Sequence, residues 1–169
     1  MPMSPTPPIE LLGSDSRLTG PSVDVPEEAL HALASICETI ESDGSANDPV
    51  AEASRDWWPL ALHWALAGQV PRLAEVVVRP TSTDEVVRVV QVCNNARIPL
   101  TVTGGRSGVC GAAAAVFGGV VLDATALAGV VDVDVVSGIV EVLPGTFGPD
   151  LEDQLRNVHG ISVGHFPQS

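Results

Sequence analysis

The chain has 169 residues, 45% of them apolar, with 21 acidic and 8 basic side chains and a formal net charge of −13. That length supports one domain with its own core. The acidic balance excludes nucleic acid and anionic membrane surfaces as partners, since both demand clustered Lys and Arg. Every basic side chain other than histidine is Arg, because the chain has no Lys. Aromatics are few (three Trp, three Phe, no Tyr), so the core must be built from Val, Leu, Ala and Ile.

Residues 1–23 are rich in Pro, Ser and Thr and read as a disordered tail, with one short ordered patch at Ile9–Leu12. They lack the basic start and apolar centre of a secretory signal. No run approaches the roughly 18 apolar residues that span a bilayer. Residues 24–70 read as a helical extension. Pro26 opens a helix through Glu41 with the stripe Leu30, Leu33, Cys37 and Ile40. Ser42–Pro49 is a loop by composition. A second helix covers Pro59–Ala67 and stops at Gly68; the cluster Trp57, Trp58 and Trp64 beside it reads as packing, with a ligand platform as the alternative.

The pattern then changes. Ala74–Arg79 is a β-branched strand stopped by Pro80. Ser82 and Glu85 fit a capping box, opening a helix to Ala96 that buries Val86, Val89, Val90 and Cys93. Ile98–Thr103 is the next strand. A strand–helix–strand unit of about 30 residues implies parallel strands, and ligands favour their carboxyl ends. Gly119–Asp123 reads as a buried strand, with Asp123 capping a turn at Ala124–Ala126. Gly129–Asp134 and Gly138–Leu143 form an antiparallel hairpin across Asp134–Ser137. Gly148 and Pro149 open a last helix through Val158, with Leu151 and Leu155 inward.

The segment TVTGGRSGVCG (Thr101–Gly111) follows the second strand of the unit. Consecutive glycines let main-chain N–H groups converge on an anion such as a pyrophosphate. Arg106 would add charge-assisted hydrogen bonds and Ser107 a hydroxyl donor. A Walker loop is excluded by the absence of Lys, and the spacing does not fit the GxGxxG dinucleotide fingerprint. A turn without a ligand is the alternative for a lone glycine cluster.

No His or Cys pair has ligand spacing, so no metal is expected. Cys37, Cys93 and Cys110 read as reduced thiols of a cytoplasmic protein. His165 is either a neighbour of the ligand or a loop histidine without a role. His159 suits the C-terminal end of its helix.

Taken in order, IPLTVTGGRSGVCG, GGVVLD, the hairpin, PGTFGPDLEDQL and GHFPQS resemble the flavin-binding domain of the vanillyl-alcohol oxidase / p-cresol methylhydroxylase (PCMH-type) family. The resemblance runs from Leu73 to Ser169, more than half of the chain. It implies an α+β, PCMH-type FAD-binding fold over residues 71–169: a small parallel β-α-β subdomain, then an incomplete, mainly antiparallel one. It implies FAD contacts from Thr101, Val102, Thr103, Gly104, Gly105, Arg106 and Ser107, and from Gly145 and Gly148. His165, Gln168 and Ser169 would lie in the loop beside the flavin, in a GHxPxS form similar to that of alkyl-dihydroxyacetonephosphate synthase-like members. An acidic residue is common where this chain has Gln168, so a contact needing a carboxylate is not carried over. Some members attach FAD through a histidine at the position of Arg106; arginine cannot form that bond, which implies non-covalent FAD.

The chain stops at Ser169 just after a loop signal and reads as the front of a longer protein. That protein is expected to be a flavin-dependent oxidoreductase or an alkyl-dihydroxyacetonephosphate synthase-like enzyme. Its small-molecule substrate would be held by a C-terminal domain absent here, so no catalytic residue is assigned and no turnover is expected of this chain alone. A homodimer of the full-length protein is among the expected partners. A non-catalytic nucleotide- or protein-binding module and an inactive fragment are the alternatives.

Overall fold

Valine-rich runs become the centre of a four-stranded sheet. The computed structural model describes residues 13–45 and 47–164. In chain order its elements are β1 (Asp15–Ser16), α1 (Glu27–Ala34), β2 (Glu38–Glu41), α2 (Pro49–Ala53), α3 (Pro59–Ala65), β3 (Gln69–Val70) and β4 (Val76–Arg79). They continue with α4 (Thr83–Ala96), β5 (Leu100–Thr103), β6 (Val120–Asp123), β7 (Val130–Asp134), β8 (Ile139–Val142) and α5 (Gly148–Gln154). A 3-10 turn occupies Ala124–Ala126, and a π-helical turn at Leu155–His159 prolongs α5. The main sheet has the order β2-β4-β6-β5. β4, β6 and β5 are parallel, as the β-α-β reading expects, but β6 lies between the two strands of that unit.

Alternation along the central strands splits the core into two layers. Val76, Val78, Val120 and Leu122 face α1 and α4, joining Leu33, Val89, Cys93 and Ile98. Val77 and Val121 face the other way, against Val50 and Ala53 of α2, Ala74 and Ala115. Each such Val or Leu contributes about 1.5–3 kcal/mol when fully buried.

α4 starts as the capping signal requires. Ser82 Oγ accepts from the Glu85 N–H at 3.2 Å. The Glu85 carboxylate reaches back one residue further than a capping box, accepting from the Thr81 N–H at 2.6 Å. Val89 and Cys93 are buried on the sheet, but Val90 is 45% exposed. One residue is a rotation of about 100° in a helix, so Val90 turns outward and Val92 takes the inner flank.

Two readings of the first seventy residues need correction. The helix from Pro26 ends at Ala34, not Glu41, and the chain reverses into β2. β2 pairs antiparallel with β4, Glu38 opposite Arg79 and Ile40 opposite Val77. The open edge of β4 offers ladder hydrogen bonds, and β-branched Thr39 and Ile40 favour a strand there. The helical stripe survives by coincidence: Leu30 and Cys37 pack on one core layer and Ile40 on the other. The second correction concerns residues 13–23. β1 pairs in parallel with β3, and Val23 donates its N–H to Phe117 O at 3.1 Å. Arg72 ties this stretch down, donating to Gly20 O at 2.6 Å and Val116 O at 2.9 Å. The patch at Ile9–Leu12 lies outside the described residues.

The β7–β8 hairpin forms as expected. Asp134 Oδ1 accepts from the Val136 and Ser137 N–H groups, and Gly138 takes a φ of 70° to close the turn. In the last helix Leu155 is buried and Leu151 half-buried.

Candidate functional site

The parallel strands β4, β6 and β5 end side by side at Arg79, Asp123 and Thr103, with Thr103 in register with Asp123. Asp123 is buried and serves two groups. Its Oδ1 accepts from the Thr125 N–H at 2.9 Å, capping the turn as the sequence predicts. Its Oδ2 accepts from Arg79 Nε and Nη2 at 3.2 and 3.1 Å, and Arg79 Nη1 reaches Glu38 Oε2 at 3.2 Å. This fixes the floor from which the glycine segment leaves β5.

Along that segment Thr101 is half-buried, Val102 is 60% exposed and Thr103 is buried, the alternation of a strand. Gly104, Gly105, Arg106 and Ser107 follow as half-buried loop. Among the described residues, the N–H groups of Gly104, Gly105 and Ser107 donate to no carbonyl or side chain. Arg106 adopts a left-handed φ of 55°, a conformation costly for a side chain and common at functional loops. Burial pushes its guanidinium pKa below the ordinary value, while the charges of Glu52 and Asp123 act in the opposite direction. The guanidinium therefore sits in the field of α2 and of the end of β6.

The loop Pro144–Gly148 closes one side. A Cβ on Gly145 would lie 2.2 Å from Ala124 O, so only glycine lets this loop rest on the turn after β6. Its N–H donates to Leu127 O at 2.8 Å. A Cβ on Gly104 would lie 3.6 Å from Pro144 O, which places the two glycine segments against each other. Gly148 opens α5 and is half-buried. His165, Gln168 and Ser169 lie outside the described residues.

The opposite side was not anticipated. The linker between α2 and α3 packs against the glycine segment. The Trp57 N–H donates to Gly108 O at 2.9 Å. Gly111, with a φ of 77°, faces the Trp58 ring so closely that a Cβ would lie 3.1 Å from Cδ2 and Cε3. Trp58 meets Trp64 edge to face at 5.4 Å, in keeping with the packing reading of that cluster. Asp56 is buried, accepts the Trp58 N–H at 2.9 Å through Oδ1, and holds Oδ2 3.6 Å from where a Gly108 Cβ would be. On α2, Glu52 bonds the fully buried Arg55 at 2.6 Å. The available signal was Asp48-Pro49, a capping residue before proline: Asp48 Oδ1 accepts from the Val50 N–H at 2.8 Å and starts α2 at the last residue of the stretch read as loop.

Cys110 is exposed, whereas burial raises the Cys93 thiol pKa, and burial with Glu85 nearby raises that of Cys37. Among the described residues no group of three or more His, Cys, Asp or Glu side chains could hold a metal ion, and no helix is long and apolar enough to cross a membrane.

Comparison with known proteins bears on this geometry. Residues 74–169 match the family model described as FAD binding domain. A D-lactate dehydrogenase of Anaerostipes hadrus is 38% identical over 77 residues, 46% of this chain and 16% of that protein. Among solved structures, an alkyldihydroxyacetonephosphate synthase superposes with a TM-score of 0.73 at 23% identity, over 95% of this chain and 31% of that one. A p-cresol methylhydroxylase with substrate bound superposes with a TM-score of 0.63 at 19% identity, over 81% of this chain and 26% of that one. These likenesses show the PCMH-type fold that the sequence resemblance implies. The chain spans less than a third of the length of each of these proteins.

Proposed function

The chain belongs to the FAD binding domain family, and on that premise we propose that Gly104–Ser107 hold the pyrophosphate of a non-covalently bound FAD. One observation carries this reading: main-chain donors without a described partner stand at the carboxyl edge of a parallel sheet, beside a half-buried arginine. A chain of net charge −13 repels a dianion at long range. Affinity must then come from short-range hydrogen bonds, to which amides and Arg106 are suited. Gly145 lets the Pro144–Gly148 loop wall the other side, and Thr101, Val102, Thr103, Gly148, His165, Gln168 and Ser169 complete the proposed contact set. Flavin bound there would supply the redox chemistry, with the chain orienting it.

The whole protein is proposed to be a cytoplasmic oxidoreductase. The D-lactate dehydrogenase relative favours a small 2-hydroxy acid as its substrate.

Acid precipitation of the purified protein tests the cofactor reading. FAD in the supernatant supports it, flavin retained in the pellet contradicts non-covalent attachment, and a preparation that takes up no FAD contradicts the reading itself. Arg106→Gly, which accommodates the φ of 55°, should weaken FAD by roughly 10–100-fold, the range for losing a charged hydrogen bond.

A further inference from the structure

We infer that the Asp56–Trp58 linker, which precedes the family match at residue 74, is a positioning element of the proposed pyrophosphate loop, with Trp58 its principal residue. The inference rests on the FAD reading above and adds residues that the reading does not contain. Three contacts carry it. The Trp57 N–H holds Gly108 O at 2.9 Å, fixing the loop just beyond Ser107. The Trp58 ring covers Gly111, so that a Cβ there would lie 3.1 Å from its Cδ2 and Cε3, tighter than ordinary contact. Asp56, 1% exposed, locks the linker's own turn through the Trp58 N–H at 2.9 Å. Trp64 buttresses Trp58 from α3 at 5.4 Å.

The need for such a brace follows from the loop's composition. Gly104, Gly105, Gly108 and Gly111 confer backbone freedom, and an anion site gains affinity only when its donors are held in place beforehand. Neither β5 nor β6 can fix residues 108–111, which lie beyond the strand end. The linker does so from the other side, and the charge of Glu52 on α2 acts on Arg106 within the same loop. Trp58 would thus act on FAD through the loop, as a positioning residue.

The test measures FAD affinity of the whole protein by flavin fluorescence, well below the melting temperature of every variant. Trp58→Leu should weaken FAD about tenfold. Val89→Ala, a core truncation on the far face of the sheet, should lower thermal stability yet leave FAD affinity unchanged. Trp58→Phe, which leaves a smaller ring over Gly111, should weaken FAD measurably but less than Trp58→Leu, and carries the test if Trp58→Leu does not fold. Hydrogen exchange without FAD adds a second readout: residues 105–111 should exchange faster in the Trp58 variants while β4–β6 keep their protection. Equal FAD affinities for the Trp58 variants, Val89→Ala and wild type would overturn the inference and leave the cofactor reading intact. No binding by wild-type protein would overturn that reading and the inference with it.

Discussion

β6 and β7 are nearly the same sequence, VVLD and VVDVD, and meet opposite fates. All four residues of β6 are buried, whereas no residue of β7 is, and Val131 is 54% exposed. β6 lies between two parallel neighbours with an apolar layer on each face, while β7 has only β8 beside it. Valine content proposes a strand; its neighbours decide what the strand contributes. Here the buried strand is also the one that ends at the candidate site. Asp123 at its tip holds Arg79 and the turn on which Gly145 rests.

The contrast can be broken by truncation. Leu122→Ala should cost about 2–5 kcal/mol in chemical denaturation, since a fully buried side chain is removed from the layer packed against α1 and α4. The matching change on the hairpin, Val136→Ser, should stay within about 0.5 kcal/mol, because Val136 is fully exposed. Similar costs at the two positions would show that the hairpin is packed in solution. Asp123→Ala lies between them. It strands the Thr125 N–H and deprives Arg79 of its buried partner, at about 1–3 kcal/mol. Thiol labelling sharpens the same contrast with the smallest perturbation. A raised pKa leaves less thiolate at a given pH, so Cys93 and Cys37 should label slowly near pH 8 and speed up only as pH rises, while exposed Cys110 labels first. Labelling of Cys93 ahead of Cys110 would contradict the packing of α4 on the sheet.

Elements with a strong local signal were legible in the sequence. α4 announces itself through Ser82 and its valine stripe, β4 through a β-branched run, β6 through a short apolar run, and the hairpin through its Asp134 turn. β1 and β3 were not, because each is two residues long and they pair with each other across more than fifty positions; α2 was missed although Asp48 caps it locally. β2 was misread because its apolar spacing also suits a helix. The glycine loop was visible as composition and the Pro144–Gly148 loop through the family resemblance. The brace on the loop's other flank was invisible, since Trp57 and Gly108 are about fifty positions apart and nothing local pairs them. Reading the tryptophans as packing was compatible with this, but the surface Trp58 covers is the glycine loop.

The amides of Gly104, Gly105 and Ser107 are proposed to hold the FAD pyrophosphate. Amide NMR shifts of nitrogen-15-labelled protein, stripped of flavin and titrated with FAD, test it most directly. The largest shifts should fall on Gly104–Ser107 and Gly145, with β7 and β8 unmoved. Saturable FAD binding that leaves Gly104–Ser107 unshifted would contradict it.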